Sequence, residues 1–247
     1  MEKKIFQNRN LTEICNEIEK IIAGSVENSK TIEYNTYMTK FDSAMSKKFE
    51  FKEIELLCNT TLKIAKTKNR IIRYIERDIW RELHRIPVRL ISNLDFEIAE
   101  NEELKAGFNY QDKSKNIFSA LLLLCYGILE IKDDKSKSSQ FRRSGALHLL
   151  AEIIDYYDVA DCKEIFLKSI NSIYPKEQLE ALAGLENYYS KTDDEISDEL
   201  LENIEKIIDE TDESAVVSTC LQIQVMAGVI DEVSALFTLK DWEDEHF

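Results

Sequence analysis

Between positions 70 and 86 the chain carries Arg70, Arg73, Arg77, Arg81, His84 and Arg85, interleaved with Tyr74 and Trp80. Guanidinium groups pair bidentately with phosphate or carboxylate oxygens, and aromatic rings stack on bases. Such a set could therefore grip nucleic acid, another phosphorylated ligand or an acidic protein surface. At helical spacing Ile72, Ile75, Ile79, Leu83 and Ile86 form an apolar stripe, and the arginines with Tyr74 and Trp80 fall on the opposite arc. Arg73 and Arg77, Arg77 and Arg81, and Arg81 and Arg85 are like charges four residues apart, each pair costing an isolated helix about 0.2–0.5 kcal/mol. Something must offset that repulsion. Glu76, Asp78 and Glu82 lie close enough to do so within the chain, which makes a solvated or internally paired face the plainest reading.

A second set is acidic. Over 194–209 Ile196, Leu200, Leu201, Ile204, Ile207 and Ile208 make an inner arc, while Asp194, Glu195, Asp198, Glu199, Glu202 and Glu205 take the outside with Asp209, relieved by Lys206. Asp241, Glu243, Asp244 and Glu245 add to the charge further on. A face of this kind repels nucleic-acid phosphates and attracts basic proteins, raising encounter rates at low salt. Keeping the protein soluble is the simpler role for it.

Neither set comes with a catalytic motif. The sequence has no Gly-x-x-x-x-Gly-Lys-Ser/Thr, Gly-x-Gly-x-x-Gly, His-Glu-x-x-His or Gly-x-Ser-x-Gly, and six glycines leave little material for a phosphate cradle. Glu130-Ile131-Lys132 has the acid-x-Lys spacing of metal-dependent nucleases, but that site needs flanking strands, and these residues end a leucine-rich helical run. Calcium loops of the Asp-x-Asp-x-Asp-Gly type are missing. Cys15, Cys58, Cys125, Cys162 and Cys220 are dispersed among apolar helical positions, as buried free thiols of a reducing compartment would be. His148 sits within a helix and reads as a packed or half-exposed residue rather than a ligand. No catalytic residue, metal site or cofactor is expected.

The elements that must position these residues are almost all helices. Two prolines and six glycines in 247 residues leave few breakers, and helical periodicity runs through most of the chain. A helix is expected from Leu11 to Ile22, capped by Asn10 and closed at Gly24. Others follow at about 30–46, 50–67, 70–86, 88–94, 115–131, 143–157, 161–172, 176–190, 194–209, 213–227 and 229–238. Helix should exceed about 60% of residues, where globular proteins average roughly a third. Ile117 to Ile131 is the most apolar stretch and reads as a central buried helix, since a membrane span needs about 20 residues. Met1 to Ile5 leads into an amphipathic run, so no signal peptide is expected, and a cytoplasmic, non-membrane protein is the natural reading.

Charge divides the chain. Counting Lys and Arg against Asp and Glu, residues 1–62 sum to −1, 63–89 to +6, 90–141 to −3 and 142–247 to −17, within a total of −15. The polar segment Lys132 to Ser144 is the best boundary, with Asn93 to Asn116 a second polar stretch. Residues 1–131 then form an N-terminal helical region containing the basic helix 70–86, and 145–247 an acidic helical-repeat region, unless both belong to one continuous domain.

Within the acidic region, segments beginning at Gly145, Glu177 and Glu213 lie 32 and 36 residues apart, close to the length of known helical repeats. Ala146-Leu147 with Tyr156-Tyr157 is echoed by Ala181-Leu182 with Tyr188-Tyr189. On these pairs and helix lengths the region from about 143 onward resembles alpha-solenoid proteins of the HEAT and armadillo type. That resemblance implies an all-α fold of stacked antiparallel helix pairs, or a related bundle. The expected function is non-catalytic protein interaction, in an inhibitor- or immunity-type protein or an assembly subunit, with a basic partner on the acidic face. The alternatives are a nucleic-acid-binding HEAT-like protein, DNA-repair activity included, using Arg70 to Arg85, and an architectural scaffold.

Overall fold

The computed structural model describes residues 11–23, 51–67, 70–100 and 110–246. The helix expected at 30–46 and the caps Asn10 and Gly24 lie outside them. Among the described residues there are ten helices and no strand: α1 Leu11–Ile22, α2 Phe51–Ala65, α3 Arg70–Glu100, α4 Tyr110–Leu129, α5 Lys137–Ile154, α6 Cys162–Ser169, α7 Pro175–Tyr189, α8 Asp198–Glu210, α9 Ser214–Met226 and α10 Glu232–His246. They hold 160 of the 247 residues, so the expected helix content is already met. The chain divides into two compact units, residues 1–132 and 133–247.

In the first unit α2 is the hub, packing on α1, α3 and α4, with α3 also against α4. Its core joins Ile14, Cys15 and Ile18 of α1 to Ile54, Leu57, Cys58 and Ile64 of α2 and to Phe118, Leu121, Leu124, Cys125 and Ile128 of α4. Each isoleucine, leucine or phenylalanine among them, fully buried, contributes about 1.5–3 kcal/mol. Glu19 of α1 accepts from Lys63 of α2 at 2.6 Å at the edge of this core. Two expectations are corrected here. α4 buries one stripe only, because Leu123 is 70% exposed. Helix α3 does not stop at residue 86; it runs through Pro87, which is buried within it, to Glu100. Proline removes one backbone donor, about 3 kcal/mol against a helix interior, and burial of Ile79, Trp80, Leu83 and Ile86 along the same face offsets that cost.

The second unit opens on a tight turn. Asp133 and Asp134 side chains accept from the amides of Lys135 and Ser136 at 2.8 and 3.0 Å, and Ser136 caps α5 by accepting from Ser139 N–H at 3.1 Å. The polar segment 132–144 is therefore only half loop, and α5 starts at Lys137 rather than 143. Helix α7 is this unit's hub, packing on α5, α6 and α9, while α9 packs on α8 and α10.

Side-chain ties fix the directions of α5, α6 and α7. Arg143 pairs with Glu177, His148 with Glu180, Asn187 with the Ala151 carbonyl and Lys191 with Asp155, so the residue numbers rise together and α5 and α7 run parallel. From α6, Lys163 meets Tyr188 and Tyr189, Phe166 meets Gly184, and the Ile170 carbonyl accepts from Gln178, so α6 runs antiparallel to α7. A Cβ on Gly184 would lie 2.2 Å from the Phe166 ring, so only glycine admits this close approach.

Burial repeats with the same logic. Ala146, Leu147 and Leu150 of α5 recur 35 positions on as Ala181, Leu182 and Leu185 of α7, and 35 further as Val216, Val217 and Cys220 of α9, all buried. The alternate helices bury Cys162, Phe166 and Ser169, then Leu200, Ile204 and Ile207, each set at i, i+4 and i+7, and α10 turns Ala235, Leu239 and Trp242 inward at that spacing. The architecture is helical-repeat-like. The double tyrosines do not share this register: Tyr156 and Tyr157 lie in the turn after α5, whereas Tyr188 and Tyr189 end α7.

Candidate functional site

On α3 the buried arc is wider than the isoleucine stripe. It extends on one flank to Trp80 and on the other to Glu82, with Glu76 buried as well. Trp80, expected on the outer arc, is fully buried, because a large indole beside Ile79 and Leu83 gains more from burial than from water. It cannot stack on an outside ligand. Its Nε1 has no hydrogen-bond partner among the described residues.

Glu82 supplies the counterion that the arginines demand. Its carboxylate, 2% exposed, takes Arg85 Nη1 at 2.8 Å, Arg89 Nη1 at 3.3 Å and Arg81 Nε at 3.5 Å. Taking a carboxylate out of water is costly, and the three guanidiniums around it offset that cost. Arg81 and Arg85 remain about half exposed beside it. Arg77 is exposed too, while the side chains of Arg70, Arg73 and Tyr74 lie outside the described residues. Arg89 was missed by sequence reasoning because it lies beyond Pro87; one helical heptad separates it from Glu82 once the helix continues.

The acidic residues split in two. Asp194 precedes α8 and is tied inward: Lys163 Nζ sits at 2.9 Å and Tyr188 donates its hydroxyl at 2.7 Å. These bonds, Lys163 first, hold its carboxyl below the usual range. Glu195 precedes the helix as well and is exposed. Asp198, Glu199, Glu202 and Glu205 stand exposed on the outer face of α8, opposite buried Leu200, Ile204 and Ile207. Ser197 caps this helix by accepting from Leu200 N–H at 3.3 Å. Asp198 and Glu199 then sit in its first turn, where the helix dipole favours negative charge.

A cleft of about 460 Å³ opens between the α6–α7 connection and α8, lined by Asn171, Gln178, Asn203, Lys206 and Glu210 among others. Its amides, the hydroxyls of Ser172 and Thr211 and the Lys206–Glu210 pair, at 3.8 Å, provide hydrogen-bonding groups. All five cysteines are free and buried. Burial pushes the Cys15 thiol up to about 11 and Cys220 up to about 12, and raises Cys58, Cys125 and Cys162 as well, so it disfavours the thiolate at all five. Among the described residues no group of three His, Cys, Asp or Glu is placed to hold a metal ion. No helix among them is long and apolar enough to cross a membrane.

One feature escaped sequence reasoning altogether. Besides its inward stripe, α10 carries Val233, Leu236 and Phe237 outward at 62, 68 and 64% exposure. The signal was present as apolar residues too numerous for one helical face. No family model, curated protein or solved structure matches the chain.

Proposed function

We propose that the protein is a non-catalytic, HEAT-like interaction module of the cytoplasm whose acidic unit engages a basic protein. An inhibitor- or immunity-type protein that neutralises a basic toxin or nuclease, or a subunit of a larger assembly, is the form this takes. The observation that carries it is the charge of residues 133–247, −17, with Glu195, Asp198, Glu199, Glu202 and Glu205 exposed to solvent. Such a field steers a cationic partner and repels phosphate. Affinity purification from the native host with the wild type and with all five acids reversed to lysine tests it. A basic chain should co-purify with the wild type, and with the variant its association should slow and its salt dependence flatten. Retention of the same partner at unchanged rates would return this face to a solubility role.

The second reading, nucleic-acid binding by α3, is favoured by the charge of +6 summed over residues 63–89 and the half-exposed guanidiniums of Arg81 and Arg85. Arg73→Ala with Arg77→Ala and Arg81→Ala should then weaken filter binding to DNA or RNA and reduce the salt slope by somewhat less than about one per lost phosphate contact. Robust binding lost in this triple variant would promote the second reading over the first.

A further inference from the structure

Val229, Val233, Leu236 and Phe237 are four of the eight large apolar residues exposed among the described residues, and all four fall between positions 229 and 237. Singly exposed apolar residues are ordinary; a contiguous group marks an interaction surface. Helix α10 turns Ala235, Leu239 and Trp242 against Val217 and Leu221, and presents Val233, Leu236 and Phe237 at i, i+3 and i+4 to solvent. Beside this strip runs a groove of about 230 Å³ lined by Leu221, Gln222, Ala235, Leu236 and Leu239, with Glu232 at its rim. Ligand pockets usually measure about 300–1,000 Å³, so this one suits a single anchoring side chain better than a whole small molecule. Asp231, Asp241, Glu243, Asp244 and Glu245 are exposed around it, and residues 229–247 sum to −5 with Lys240 the one Lys or Arg.

We infer that this strip is the docking site of an amphipathic helix from a partner protein, apolar on one face and edged with lysine or arginine. Charge selects this occupant. A second copy would set the same acids against each other in a two-fold contact, and an anionic membrane would be repelled. A basic amphipathic helix satisfies both the apolar strip and its rim. This rests on the reading that the acidic unit binds a basic protein, and it divides the labour: α8 acids speed encounter, and the α10 strip holds the bound state.

The probe is a labelled peptide of about 18 residues, built of leucine and lysine with leucine on one helical face, against a control of the same composition with leucine dispersed. Stopped-flow binding compares the full chain, a strip variant (Val233→Ser, Leu236→Ser, Phe237→Ser) and the variant with the five acids reversed. The strip variant should release the amphipathic peptide at least about tenfold faster with little change in association, and the wild type should prefer it to the control at least about tenfold. The circular dichroism melt of the strip variant should match the wild type, since these positions are exposed. Equal release by the strip variant, or equal binding of both peptides, would overturn the proposal. So would wild-type binding to phosphatidylserine vesicles, or a dimer in sedimentation, that the strip variant loses. If the charge-reversed variant associates as fast as wild type while the strip variant still releases faster, the α8 reading fails and the strip proposal stands.

Discussion

The two units differ in how they pair a buried carboxylate. Residues 1–132 sum to +2 and gather arginines around Glu82, buried in the same helix, the Lys63–Glu19 tie between α1 and α2 being more exposed; residues 133–247 sum to −17 and pair buried Glu177 with a cation from another helix. In α3 the Glu82 cluster is local, its arginines one, three and seven residues from the carboxylate, so it calms a helix without defining how helices pack. In the second unit Arg143–Glu177 and Lys191–Asp155 span α5 and α7 near their two ends, and so fix register. The lesson is that a buried ion pair specifies tertiary structure when its partners sit on different elements, and only permits a local sequence when they do not. Variants in the two units should behave accordingly.

The largest effect should come from Arg143. Its Nε and Nη2 donate to Glu177 Oε1 at 2.9 and 2.8 Å, while Glu177 Oε2 is buried without a partner among the described residues. Arg143→Met strands a buried carboxylate between α5 and α7 and should cost about 3–5 kcal/mol in urea denaturation. Adding Glu177→Leu should recover most of that loss, because a paired apolar replacement often matches or exceeds a buried ion pair. A single variant no less stable than the wild type would undo the contrast between the units.

Glycines sharpen it at smaller scale. Gly184→Ala forces Phe166 away from α7, where a Cβ would meet the ring at 2.2 Å, and overpacking of this kind costs about 1–3 kcal/mol. Gly127→Ala in α4 meets only the methyls of Leu62 at 3.1 Å. A leucine end can give by a few tenths of an ångström, and alanine gains up to about 1 kcal/mol of helix propensity, so this change should fall within about 1 kcal/mol of neutral. Paired thermal melts of the two variants compare a stiff neighbour with a flexible one.

How much of this was legible in the sequence depended on whether a feature needs its neighbours to be known. The stripe Leu200, Ile204 and Ile207 and the burial of all five cysteines follow from local spacing and residue type, whereas the helix start, expected at 194, falls after the capping Ser197. Trp80 did not, because an indole on the flank of an apolar stripe is buried or exposed according to how closely α2 and α4 approach. The outward strip of α10 was hidden for the converse reason: apolar residues read as core until the packing leaves them uncovered. Repeat register failed more instructively. Matching residue identities aligned Tyr156-Tyr157 with Tyr188-Tyr189 at 32 residues, whereas burial aligns Ala146 with Ala181 and Val216 at 35. Packing selects for volume on a face, and of the four tyrosines Tyr189 alone is buried, so matching identities there do not report the register.

A subtler probe of the α5–α7 tie is pH. His148 Nδ1 lies 2.8 Å from Glu180, with Glu152 at 3.9 Å on its own helix. The bond to Glu180 raises its pKa above the ordinary 6.5, helped by the charges of Glu180 and Glu152 and opposed by burial and Lys176. Because the folded value lies above the unfolded one, this contact stabilises fully below about pH 6.5 and fades as pH rises through the folded value. His148→Gln should flatten that part of the stability profile between pH 6 and about 8, and an unchanged slope would remove His148 from the helix–helix tie.

The smallest effect should fall in the first unit. Arg81 is the most distant of the three guanidiniums on Glu82, at 3.5 Å, and its side chain is 47% exposed. Solvent screens it, and Arg85 and Arg89 remain paired with the buried carboxylate at 2.8 and 3.3 Å. Arg81→Ala also removes like-charge pairs with Arg77 and Arg85, worth about 0.2–0.5 kcal/mol each in an isolated helix. Its net cost in urea denaturation should therefore lie within about 1 kcal/mol of zero, far below that of Arg143→Met. A loss as large as that of Arg143→Met would mean that Glu82 needs all three arginines at once. The cluster in α3 would then specify structure as strongly as the ties in the second unit, and Arg81 would be the wrong residue through which to test nucleic-acid binding.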